Sequence, residues 1–129
     1  GTLHAKNAVE TIQRMLLFYP MAQHANLRKL LGETLRAVVA QKMVPGCTKD
    51  RPRIVVMELM LVNDVVRQCI EDNEDHRIPQ QMEAFSGEGM QTFNMSLARM
   101  VMKSLVDARI AVRESPEPGN LQKLLAKRI

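Results

Sequence analysis

Tryptophan is absent from this chain, and three phenylalanines with one tyrosine make up its whole aromatic content. A protein that grips single-stranded nucleic acid by stacking needs a row of aromatic faces, so that class is excluded. Cysteine is scarce as well. Cys47 and Cys69 show no CxxC spacing, which argues against a zinc site or a disulfide framework and for reduced thiols in the cytosol. No apolar run approaches the roughly 20 residues of a membrane-spanning helix. No basic-then-apolar leader precedes the first helical pattern, so the expected location is cytoplasmic. Also missing are a GxxxxGK[ST] phosphate loop, a GxSxG elbow and an HExxH pair. Without them no active site assembles from these residues alone, and neither a metal nor a bound nucleotide is expected for this stretch by itself.

What is present suits an ordinary globular domain. The chain has 129 residues, 46% of them hydrophobic and 25% charged, enough for one modest core and one domain spanning 1–129. The net charge is +4, but 18 Lys and Arg are interspersed with 14 acids and form no dense run. A nucleic-acid partner is therefore not expected. Ten methionines fall within the apolar stripes and read as core filling.

Hydrophobic periodicity predicts mostly helix. Asn7 with Glu10 forms a helix-starting pair ahead of Val9, Ile12, Leu16 and Tyr19, and Pro20 ends that run. From Ala22 to about Arg36 a second helix buries Leu27, Leu30, Leu31 and Leu35 and leaves Arg28, Lys29 and Glu33 wet. AVVAQKMV and IVVMELMLV, rich in β-branched residues, flank the breaker PGCTKDRPR and predict an antiparallel hairpin. Asn63 caps a short helix that turns Val66, Cys69 and Ile70 inward, and EDNED closes it with solvated polar residues. Ile78, Met82 and Phe85 continue at helical spacing to a Gly87–Gly89 turn. Gln91 to Val106 reads as the longest helix after the hairpin, SPEPGN as a loop, and NLQKLLAKRI as a final amphipathic turn with basic residues at its end. The fold class is thus α-rich (α+β), with one small β-hairpin. Val9, Ile12, Leu16, Leu27, Leu31, Phe93, Leu97 and Val101 are expected to be buried in one helical cluster.

Three histidines are candidates for chemistry. His24 and His76 have no suitable partner nearby in sequence and read as exposed. His4 sits on a polar step just before a helix, where an imidazole can donate to a phosphate oxygen beside helix N–H groups; spacing alone favours a plain surface histidine.

Several blocks, in order, carry more than any one of them. GTLHAKNAVETIQRMLLFYP, LRAVVAQKMVP, VVMELM and GEGMQTFNMSLARMV together resemble the C-terminal half of the type IV pilus retraction ATPases, the PilT-like branch of the secretion-ATPase superfamily. TLHA at 2–5 is similar to that family's His box, and GMQTF at 89–93 to its GMQT signature. No cysteine-rich insert follows QKMVP, which favours the retraction branch. The resemblance implies the C-terminal part of a RecA-like motor domain that starts at the His box, with the phosphate loop upstream. It implies ATP and Mg²⁺ as cofactors of the full-length protein, a hexamer, and a partner in the inner-membrane platform of a pilus or secretion system. It makes His4 the catalytic histidine and places Thr2 and His4 beside the nucleotide.

The family's retraction motif aligns with Val65 to Asp72. Val65, Val66, Arg67, Ile70 and Glu71 are therefore expected to serve motor output, with Val66 and Ile70 facing inward and Arg67 and Glu71 pairing one turn apart on an exposed side, where loss of Arg67 hardly affects folding. The competing reading is a non-catalytic α-helical interaction domain with a basic, nucleic-acid-binding surface.

Overall fold

Asn7 accepts a hydrogen bond from the Glu10 amide at 2.8 Å and starts α1, Ala8–Leu17, as the sequence pair predicts. The computed structural model describes residues 1–127. Pro20 ends the first run, a 3₁₀ turn follows, and α2 covers His24–Thr34. The hairpin pairs β1, Ala37–Pro45, with β2, Arg53–Leu61. Then come α3, Asp64–Glu71, and α4, Ile78–Ala84. The last three helices are α5, Phe93–Met102, α6, Ala108–Glu114, and α7, Pro118–Ala126. The predicted class, helices with one two-stranded antiparallel sheet, is the observed one.

Two compact units divide the chain: Gly1–Ala40 with Leu59–Gln91, and Gln41–Glu58 with the segment from Thr92 onward. The first unit is built around Ala8, Ile12 and Leu16 of α1, Val38 and Met60 of the strands, Val66, Cys69 and Ile70 of α3, and Ile78, Met82 and Met90 beyond it. Val9, Leu27 and Leu31 pack on this cluster half-buried. Phe93, Leu97 and Val101 are buried too, but in the second unit; the single cluster expected from the stripes is in fact divided between the units.

The strands alternate with period two. Ile54, Val56, Glu58 and Met60 of β2 are buried and the residues between them are more exposed, as a sheet with one covered face requires. Glu58 shares that face because its carboxylate has a donor to meet: in the second unit its Oε2 accepts from the Phe93 amide at 3.1 Å. Thr92 caps α5 by accepting from the Met95 amide at 3.2 Å. An orphan amide of the helix's first turn is satisfied on each side, which is what a buried helix start requires.

Several local expectations are corrected. α5 stops at Met102 because Ser104 adopts φ 58° and the Leu105 amide returns to the Met100 carbonyl at 2.9 Å, a left-handed C-terminal cap that an apolar stripe does not announce. Asp107 then starts α6 by accepting from the Arg109 amide. SPEPGN is only partly loop, since Pro118, Gly119 and Asn120 open α7; proline in the first turn costs no hydrogen bond. Arg128 and Ile129, expected to end that helix, lie outside the described residues. Of the ten methionines, only Met60, Met82 and Met90 are fully buried, whereas Met21, Met43, Met57 and Met102 are exposed.

Candidate functional site

The α3 helix carries the expected output motif, and its neighbours decide what each residue does. Asn63 caps it by accepting from the Val66 amide at 2.9 Å. Val66 and Ile70 are fully buried, as their i, i+4 spacing predicts, and Val65 is exposed. Asn73, at φ 57°, ends the helix, and the Glu74 amide closes back on the Cys69 carbonyl at 2.8 Å. Asparagine tolerates this left-handed position better than most residues.

Helix α2 crosses α3 at Gly32, which is buried. A Cβ on Gly32 would lie 2.8 Å from Glu71 Cγ and 3.2 Å from Arg67 Cγ, so the crossing depends on the missing side chain. Arg67 uses that proximity: its Nε donates to the Gly32 carbonyl at 2.8 Å and its guanidinium to Asp64 Oδ1 at 2.8 Å. The expected Arg67–Glu71 pair is therefore replaced. Arg67 reaches back along its own helix to Asp64 and across to one of the last carbonyls of α2, which has no intrahelical partner of its own. Glu71 is half-buried against Gly32.

A second polar contact joins the same elements. Arg28 on α2 donates to Asp75 Oδ1 at 2.8 Å and Oδ2 at 2.9 Å, and to the Ile70 carbonyl at 3.1 Å. Gln13 of α1 also reaches Asp75 Oδ2, at 3.5 Å. Arg28 and Asp75 are 8% and 6% exposed, so the wet Arg28 read from sequence is corrected, and so is the solvated EDNED run at Asp75, while its Asp72 and Asn73 are exposed. Leu30, expected inside, is 54% exposed. The physical reason is one rotation: α2 turns Arg28 and Gly32, four residues apart, toward α3. Sequence reasoning missed Arg28, Gly32 and Asp75. The only local sign was a glycine inside a helical pattern, which often marks a close approach.

Burial raises the Cys69 thiol pKa, desolvation being the largest cause. The Arg77 guanidinium is held protonated still more firmly by its hydrogen bond to Glu74. On α1, Glu10 is lowered, first by the hydrogen bond it accepts from the Lys6 amide.

Thr2 and His4 lie in the irregular segment ahead of α1, and both are exposed. His76 is exposed, while His24 is half-buried, its Nε2 donating to the Tyr19 carbonyl at 3.0 Å. Within the GMQTF stretch, Gln91 and Leu59 exchange two backbone hydrogen bonds of 2.8 and 3.0 Å. Gly89, which opens the stretch, takes φ 106°, a conformation that favours glycine. Among the described residues no group of three or more His, Cys, Asp and Glu is placed to hold a metal ion.

Comparison with known proteins returns the family that the sequence blocks resemble. A twitching motility protein of Neisseria gonorrhoeae is 30% identical over 116 residues, covering 89% of this chain and 30% of that protein. The type IV pilus ATPase PilU of Pseudomonas aeruginosa is 29% identical over 126 residues, covering 97% of this chain and 32% of its own length. A solved structure of the pilus retraction motor PilT with bound ADP superposes with a TM-score of 0.81 at 27% identity, covering 95% of this chain and 34% of that one. No family model matches the chain. The chain spans about a third of the length of the relatives it matches, and its fold is that of the C-terminal domain of PilT-type ATPases.

Proposed function

We propose that this chain is the C-terminal portion of a hexameric, ATP-hydrolysing motor that drives type IV pilus retraction or a related secretion process. The observation that supports the reading best is the agreement of sequence and fold over nearly the whole chain with a retraction motor crystallised with ADP. In this reading Thr2 and His4 face the nucleotide, with His4 donating to the terminal phosphate or to its attacking water. Their exposure leaves them available to groups that this chain does not supply. The sequence has no Gly-rich phosphate loop, so the cradle for ATP and the ligands of Mg²⁺ come from elsewhere in the protein. Magnesium when bound would neutralise phosphate charge; the role left to this chain is one aimed donor.

Motor output is assigned to α3. Val66 and Ile70 seat the helix in its unit, Arg67 ties it to the end of α2, and Arg28 ties α2 to the segment after α3. Helices tied at two points one turn apart, here Arg28 and Gly32 of α2, move together, which suits an element that transmits displacement. The exposed side of α3, with Asp64, Val65, Gln68 and Asp72, borders an open groove of about 260 Å³. A platform protein at the cytoplasmic face of the inner membrane is the proposed partner. The test is the full-length protein with Mg²⁺ and ATP: this reading expects turnover that requires the oligomer, and loss of retraction when the gene is deleted. A full-length oligomer that neither binds nor hydrolyses ATP would favour the interaction-domain reading.

A further inference from the structure

The segment ahead of α1 alternates in burial: Leu3 and Ala5 are half-buried, whereas Thr2, His4 and Lys6 are exposed. A period of two is that of an extended chain, so Thr2 and His4 project to the same side of it. An extended segment makes no hydrogen bonds within itself, and its direction is set where it is tied down. The tie is at Lys6. Its amide donates to Oε2 of Glu10, the third residue of α1.

This tie does more than start a helix. In a reciprocal cap the glutamate at this position reaches back to the amide of the cap residue itself. Here Asn7 is the cap, accepting from the Glu10 amide at 2.8 Å, and its carbonyl accepts from the Thr11 hydroxyl at 2.9 Å. The Glu10 carboxylate instead takes the amide one residue further out, where the chain has already left the helix. Its second oxygen, Oε1, accepts from Arg14 at 3.3 Å one turn along α1, so the carboxylate is braced on the helix while it holds the segment. His4 stands two residues beyond Lys6, about 6.6 Å along an extended chain, and a swing of about 10° at the tie displaces it by about 1 Å. A misplacement of about that size can cost a reacting group ~10²-fold in rate.

We infer, resting on the reading of His4 as a donor to the nucleotide, that Glu10 is a positioning residue: through the Lys6 amide it sets the line along which the segment leaves α1, and with it the place of the His4 imidazole. Steady-state ATP turnover of the full-length protein carrying Glu10→Ala, Glu10→Gln, His4→Ala and the Glu10→Ala, His4→Ala double tests it, beside hydrogen exchange of the peptide that holds the Lys6 amide. Glutamine keeps an oxygen for that amide. Glu10→Ala is expected to lower kcat about tenfold or more while KM for ATP changes far less, with circular dichroism unchanged because Asn7 still caps α1. Glu10→Gln should recover most of this loss, and Glu10→Ala should cost nothing further once His4 is alanine. Exchange at Lys6 should quicken several-fold in Glu10→Ala and stay near the parent rate in Glu10→Gln. An equal fall of kcat in the parent and in the His4→Ala background would mark a merely structural role and overturns the inference, as does a glutamine variant no better than alanine. Parent-like turnover of Glu10→Ala beside an impaired His4→Ala sinks this inference alone and leaves the nucleotide reading standing. Parent-like turnover of His4→Ala removes the reading of His4, and the role of Glu10 with it.

Discussion

Arg28 and Asp75, 47 residues apart in sequence, form a two-pronged ion pair of 2.8 and 2.9 Å within the first unit. Both are buried, and the arginine also satisfies the Ile70 carbonyl. A pair of this kind offsets its own desolvation only when it is complete. Arg28→Ala or Asp75→Ala is therefore predicted to cost ~3 to 5 kcal/mol by leaving an uncompensated buried charge. Urea denaturation of both singles and of the Arg28→Met, Asp75→Leu double checks this: the double should fall well short of the summed singles.

Gly32 is predicted to resist even alanine. Helix propensity alone would gain about 1 kcal/mol from Gly32→Ala. The new Cβ, however, would lie 2.8 Å from Glu71 Cγ and 3.2 Å from Arg67 Cγ, so two side chains packed at the crossing have to change χ1 or α3 has to shift. Overpacking of this sort costs ~1 to 3 kcal/mol, and a net loss of thermal stability is the expected outcome. A variant more stable than the parent would show that the crossing has room for a methyl group.

Arg67 separates structure from hydrolysis. Its hydrogen bond to the Gly32 carbonyl makes Arg67→Ala cost about 1 to 2 kcal/mol, more than the few tenths an exposed pair with Glu71 would represent. In the full-length protein the same substitution should leave most ATP turnover intact while impairing retraction. Turnover lost as completely as in a phosphate-loop lysine variant would refute the assignment of α3 to output.

The two thiols should differ sharply. Cys47 is exposed and Cys69 is 3% exposed, with its pKa raised chiefly by desolvation. A thiol reagent at neutral pH should label Cys47 quickly and Cys69 only as fast as the unit opens, because the thiolate is the reactive form. The sign of the linkage follows: the folded state retains the Cys69 proton longer than the unfolded chain, so this contribution is present below about pH 8.5 and is lost as pH rises toward the folded value. Equal labelling rates in native buffer would contradict the burial of Cys69.

Elements legible in the sequence were those written in local chemistry. The Asn7 and Asn63 caps, the two strands around PGCTKDRPR, and the Val66 and Ile70 anchors all depend on neighbours a few residues apart. Arg28 was misread because its partner is 47 residues distant, and a charged residue beside a leucine stripe normally faces water. Leu30 was misread by the same rotation of α2. The end of α5 was missed because Ser104, unlike glycine, gives no sign that it will adopt a positive φ. Glu58 was legible in principle, since strict alternation from Ile54 to Met60 puts it on the covered face. In the candidate site, His4 and the α3 motif were singled out by resemblance to a family's ordered blocks, since spacing alone favoured a plain surface histidine, while the partners of Arg67 came only from the way the helices cross.

Whether His4 belongs to a nucleotide site completed elsewhere in the protein is decided by steady-state ATP turnover of full-length His4→Ala, measured beside its nucleotide affinity. A preorganised donor at the reacting phosphate is commonly worth ~10² to 10³ in rate, so kcat should fall by about that factor while nucleotide binding changes far less. Turnover equal to that of the unsubstituted enzyme would remove His4 from the site.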